Sequence, residues 1–75
     1  MIVYLEKVAP EWNMRRFYRV SIAPTLLGEW ALIREWGRIG SLRGQRIEEW
    51  FGASEGAAYA LARLVAAKRR KGYEG

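Results

Sequence analysis

Seventy-five residues, 51% apolar and 28% charged, have the composition of one globular domain and leave no room for a second. The chain has no Cys, no His and no Asp, which removes disulfides, Cys- or His-based zinc sites, the Ser-His-Asp triad and any imidazole acid/base. Thirteen Lys and Arg against eight Glu give a net charge of +5, an excess that favours an anionic partner such as nucleic acid.

Ile2 to Lys7 alternates loosely in β-forming residues and reads as a first strand. Pro10 cannot donate to a ladder and Asn13 suits a turn, so Ala9 to Asn13 breaks the chain. A second strand is expected over Arg16 to Ala23, with Tyr18, Val20 and Ile22 on the core face and Phe17, Arg19 and Ser21 on the other. Pro24 to Gly28 reads as a turn. A third strand runs from about Glu29 to Gly37; neither of its faces is purely polar, as in a central strand, and periodicity leaves open which face is covered. Three glycines between Gly37 and Gly44 indicate a tight, shaped hairpin loop, and Gln45 to Phe51 returns as a fourth strand.

Ser54 is read as a helix N-cap, with Glu55 in the first turn. Ala58, Leu61, Leu64, Val65 and Lys68 form an apolar stripe at helical spacing, with Ala62 beside it. Cations from Lys68 to Lys71 suit the last turn, and Gly72 suits the residue after it. The expected fold is α+β: a small antiparallel sheet of about four strands with one long C-terminal helix packed across one face.

The charges are segregated. Arg15, Arg16, Arg19, Arg34, Arg38, Arg43 and Arg46 occupy the middle of the chain with only Glu29 and Glu35 among them, and Arg63, Lys68, Arg69, Arg70 and Lys71 follow without an acid. The densest signal is Arg34-Glu35-Trp36-Gly37-Arg38-Ile39-Gly40. An indole is a flat surface for a terminal sugar or base, Arg offers a planar fork for phosphate, and glycines let backbone approach an anion. Such contacts read no bases.

With Trp36-Gly37-Arg38, the preceding Asn13-x-x-x-Phe17-Tyr18 pattern, Gly44-Gln45, the Ala-rich helix and the Lys68 to Tyr73 ending, the chain resembles the WGR domain family over its whole length. It looks like the free-standing short bacterial kind, a single domain over residues 1–75. One departure is Leu42-Arg43, where many members look a residue shorter. The resemblance implies a non-enzymatic nucleic-acid-binding module, for double-stranded DNA with a preference for ends or nicks. The Trp would pack at the strand end and polar and basic residues would hold the terminal phosphate. Carried over by motif, the DNA-binding candidates are Trp36, Arg38, Asn13, Arg15 and Arg16, to which Gly37, Arg43 and Lys71 are added. The alternative is a protein-interaction module using Arg38 and the aromatic face.

Plainer readings stand beside these. Trp36 reads equally as a core residue; Trp30 and Trp50 read as core or sheet-covering, Trp12 as a lid over the core edge and Tyr59 as packing. The Lys68 to Lys71 run reads as a solvated helix end, with phosphate contact as the alternative. Arg34 is expected to pair with Glu48 or Glu49. Glu48 and Glu49 point to opposite faces of a strand and make a poor catalytic dyad. No enzyme activity, cofactor, metal or small-molecule substrate is expected. With no signal-peptide layout and no apolar stretch near the ~20 residues that span a bilayer, the expected location is the cytoplasm, and no membrane partner is expected because the helix's apolar stripe is mostly Ala and is needed for the core.

Overall fold

A computed structural model describes residues 1–75. Strands β1 (Ile2–Ala9), β2 (Met14–Pro24), β3 (Trp30–Arg38) and β4 (Gly44–Phe51) precede helix α1 (Ser54–Arg70), with a 3-10 turn over Pro10–Trp12. The strands form one antiparallel meander in the order β1-β2-β3-β4. This is the α+β sheet-and-helix architecture that the alternation and the Ala-rich run predict.

Register decides which face α1 covers. Leu5 lies opposite Tyr18, Tyr18 opposite Trp36, and Ile22 opposite Leu32. The even-numbered positions of β2 and β3 therefore share a face, and they meet Leu61 and Val65 of α1 in a core completed by Val20 and Tyr73. Leu5, Val20 and Leu32 are fully buried, each contributing about 1.5–3 kcal/mol by removal from water. The opposite face of the sheet is uncovered. On it Tyr4 stacks on Phe17 with ring centroids 6.1 Å apart, and Arg19 pairs with Glu35.

Several boundaries and positions differ from the sequence reading. β2 starts at Met14 and extends to Pro24, because β1 pairs with it as far as Ala9↔Met14 and Pro24 needs no N–H at a strand end. Ala53, in an extended conformation, is the N-cap; Ser54 is already helical, and its hydroxyl donates to Glu55 instead of capping. The buried helical stripe is Ala57, Leu61 and Val65, whereas Ala62 is exposed. Trp50 is 57% and Tyr59 67% exposed, so neither is packed away. The expected pairing of Arg34 does form, with Glu49 at 3.0 Å.

The C-terminus of α1 closes as expected at Gly72, whose φ of +95° is open to glycine. Gly72 N–H donates to the Arg69 carbonyl and Tyr73 N–H to the Lys68 carbonyl, the paired bonds of a Schellman motif. The turn sends the tail back to β1, where Glu74 and Glu6 exchange two backbone hydrogen bonds of 2.8 Å.

Candidate nucleic-acid interface

The end of the sheet where β2 begins and β3 ends is shaped by two local devices. The first is the Pro10–Trp12 turn. Pro10 supplies its first residue, and Asn13 leaves it in the left-handed region at φ 51°, its N–H donating to the Pro10 carbonyl at 2.9 Å. Asn tolerates this conformation better than most side chains do. Arg38 then fixes the corner: Nη1 donates to the Asn13 backbone oxygen at 3.2 Å and Nη2 to Asn13 Oδ1 at 3.3 Å. Two of the five guanidinium N–H groups are used this way.

The second device is the glycine pair. Gly37 and Gly44 lie opposite each other at the β3–β4 junction. A Cβ on Gly44 would stand 3.0 Å from the Trp36 carbonyl oxygen, and one on Gly37 would stand 3.2 Å from the Arg43 carbonyl. The motif glycine is thus required by the close approach of two strands, whose hairpin carries Ile39 to Arg43 beyond the sheet.

Between these devices lies a cleft of about 540 Å³, lined by Trp12, Asn13, Met14, Arg15, Arg16, Phe17, Trp36, Gly37, Arg38, Lys68 and Tyr73. Four of these are cationic and none is a carboxylate. Arg15, Arg16, Arg38 and Lys68 make no ion pair; the pairs in the chain belong to Arg19, Arg34 and Arg46. The register also places Lys7 opposite Arg16 and Arg16 opposite Arg38, three cations in a row across β1, β2 and β3. Like charges directly opposite each other destabilise a sheet, so this row carries a repulsion that an anion would relieve.

Lys68 enters from α1. Its Nζ lies 4.8 Å from the Tyr18 ring centroid and 5.3 Å from that of Tyr73. The two rings meet edge to face at 6.4 Å and hold the ammonium against the cleft. Burial lowers its pKa, and Lys71, Arg16 and Arg34 push it the same way. Trp36 joins both readings made of it: its half-buried ring lies 6.5 Å from Tyr18 at the core edge and also lines the cleft.

Of the residues singled out from sequence, Asn13, Arg15, Arg16, Trp36, Gly37 and Arg38 come together on this cleft. Arg43 lies apart, lining a smaller hollow with Phe17, Glu35 and Arg46, and Lys71 lines neither. Trp12 is 76% exposed and stands at the cleft instead of lidding the core. Tyr73 was not among the site candidates, and Lys68 entered only through the alternative reading of its run as a phosphate contact. Lys68 carried a signal, being the one cation on the apolar stripe of α1.

The WGR domain model matches residues 1–75. The chain is also 42% identical over 71 residues to a protein of Sinorhizobium fredii (strain NBRC 101917 / NGR234) described as "Uncharacterized protein y4dW". That match covers 95% of this chain and 34% of the relative, so the chain spans about a third of the relative's length. With the Trp-Gly-Arg motif built into the β3–β4 junction and the family pattern running from end to end, the chain belongs to the WGR domain family.

Proposed function

We propose that the cleft binds the phosphate backbone of double-stranded DNA at an end or nick. The observation that carries this reading is the cleft whose only charged lining residues are the cations Arg15, Arg16, Arg38 and Lys68, with Lys7 next to Arg16 in the register. Arg16 and the three unused N–H groups of Arg38 are the phosphate donors, and Lys68 supplies a point charge. The part of the Trp36 ring that faces the cleft provides a flat apolar surface beside those donors, suited to the sugar of a strand terminus. Continuous duplex presents no such terminus, which is the basis of the preference for ends. No side chain in this set is placed to read a base edge, so discrimination among sequences is slight.

Titrating a labelled, nicked, 5′-phosphorylated duplex by fluorescence anisotropy at two salt concentrations tests the reading, with a closed circle as competitor. Four phosphate contacts give a slope of log K against log salt of about −3.6. Poor competition by the circle and about tenfold weaker binding in Arg16→Gln are the expected results. Because Trp36 also packs at the core edge, Arg16 is the cleaner removal. Equal affinity for circle and nicked duplex removes the end preference, and no binding at low salt removes the DNA reading altogether.

A further inference from the structure

We propose that β4 is a dimerisation edge, to which a second copy of this chain adds its own β4 antiparallel, with Ile47 on the two-fold axis. The two edges of the sheet are treated differently by the fold. On β1, the returning tail pairs Glu74 with Glu6 and occupies part of the outer edge. β4 is the other edge, and no segment of the chain pairs with its outer side. It is eight residues long, has no Pro, and keeps an unbroken register with β3 from Phe51 to Gly44. Every residue from Gly44 to Trp50 is exposed. An edge of this length presents a row of free N–H and C=O groups to another strand.

The side chains select the partner and the register. Directly opposite residues of an antiparallel pair share a face, so a two-fold axis normal to the sheet places one residue opposite its own copy. With Arg46, Glu48 or Glu49 on the axis, a charge meets itself. Gln45 or Trp50 on the axis leaves most of the strand unpaired. Ile47 is the remaining choice, and its consequences are favourable at each step. Arg46 falls opposite Glu48 of the second copy, twice by symmetry. Within one chain these two side chains reach each other only at 3.7 Å. Gln45 falls opposite Glu49 of the second copy, a neutral donor against a carboxylate.

Trp50 falls opposite Gly44 of the second copy, on the uncovered face of the sheet. Gly44 leaves a lane there: the atom nearest to its missing side chain from that face is Phe17 Cζ, 3.8 Å from the Cβ position. The exposed indole of Trp50 thus gains a seat beside Phe17, at the end of the Tyr4–Phe17 stack. α1 begins just past Phe51 and runs back over β2, β3 and β4 of its own chain to Lys68 beside Trp36, so each helix lies over its own half of the joined sheet. The product is one eight-stranded sheet with both helices on the same side. The argument uses no residue of the cationic cleft except Phe17 at its edge, so it stands or falls independently of DNA binding.

Sedimentation equilibrium of the whole chain over a range of concentrations is the test. The mass is expected to rise from 8.7 kDa toward twice that value. Arg46→Glu presents two carboxylates to its own copy and Glu48→Arg two guanidinium groups, so each variant alone is expected to dimerise at least about tenfold more weakly. Mixed in equal amounts, the two variants complement each other in this register, and the dimer returns. A wild-type chain that stays monomeric at every concentration overturns the proposal. So do variants that dimerise like the wild type, or a mixture that stays monomeric while both variants are folded by circular dichroism. Amide hydrogen exchange on the unmodified chain gives a second readout. Exchange of β4 is expected to slow as concentration rises, and β4 exchange independent of concentration overturns the proposal without any variant.

Discussion

Arg38 and Asn13, one from the end of β3 and the other from the turn before β2, are joined by two hydrogen bonds of 3.2 and 3.3 Å. The motif arginine therefore has a structural task before it has a ligand: it holds a left-handed residue at the cleft's rim. Arg38→Lys keeps the charge but loses the planar fork. It is expected to cost about 1 kcal/mol in urea denaturation and to weaken duplex binding more than a lost contact at equal charge would suggest. Asn13→Gly gives up the Oδ1 bond alone, whereas Asn13→Ala also strains the backbone at φ 51°. The Ala variant should be less stable than the Gly variant by about 1 kcal/mol.

Arg16 sits between Lys7 and Arg38 in the register. Removing its charge relieves repulsion on both sides. Arg16→Met is expected to raise the midpoint of urea unfolding slightly while lowering affinity for nicked duplex by about tenfold. Added inorganic phosphate should stabilise the wild type more than the variant, since only the folded cleft gathers the cations that bind it. A variant that loses both stability and binding would show that Arg16 serves packing instead.

On the proposed function, Lys68 is expected to make phosphate binding depend on pH below the usual lysine range. Burial, followed by Lys71, Arg16 and Arg34, lowers its pKa from 10.5. At low pH the ammonium is present in both the folded and the unfolded chain, and the fold bears the full cost of holding it. As pH rises through the folded pKa toward 10.5, the fold sheds the proton first and that cost is lifted. The stability advantage of Lys68→Met over wild type should therefore narrow across that window. Phosphate binding has the opposite sign, because it needs the ammonium. Affinity should fall over the same window in the wild type and not in Lys68→Arg, as anisotropy titrations at stepped pH would record.

The glycines of the hairpin are not equivalent. Gly44→Ala drives a Cβ to 3.0 Å from a backbone oxygen that belongs to the β3 ladder. A loss of about 1–3 kcal/mol is expected, with wider disturbance of Trp36. Gly40 has φ +84° but open space around it, so Gly40→Ala should cost only the conformational strain, about 1 kcal/mol. Thermal unfolding of the two variants separates the cases.

The strands and the helix were legible because they rest on local signals, alternation, Pro10, Asn13 and Gly72, and six of the cleft residues through the family resemblance carried by the Trp36-Gly37-Arg38 run and the Asn13-x-x-x-Phe17-Tyr18 pattern. What was misread depends on information that a local pattern lacks. Ala57, Ala58 and Ala62 look alike in a run of alanines, so the phase of the buried stripe was left to the packing of α1. Trp50 was read as core or sheet-covering for its size, but it shares a face with Glu48 and Arg46, and the sheet's single covering layer leaves that face to solvent. The row Lys7, Arg16 and Arg38 joins residues from three strands and exists only once two registers are set. Lys68 was visible as a cation among apolar neighbours, but its place beside Arg16 depends on the Tyr18 and Tyr73 rings.

The pairing of Glu74 with Glu6 sets an order on the folding of the chain. It joins the first strand to a residue beyond the helix, so among the contacts of this domain it is one of the latest that synthesis from the N-terminal side makes available. Until residue 74 has emerged, β1 lacks its edge cover and Tyr18 lacks the ring of Tyr73 against it. Synthesis of this domain therefore passes through a sheet with both edges bare, the state in which strand-to-strand aggregation is a hazard. Shortening the tail past Tyr73 would make that transient exposure permanent.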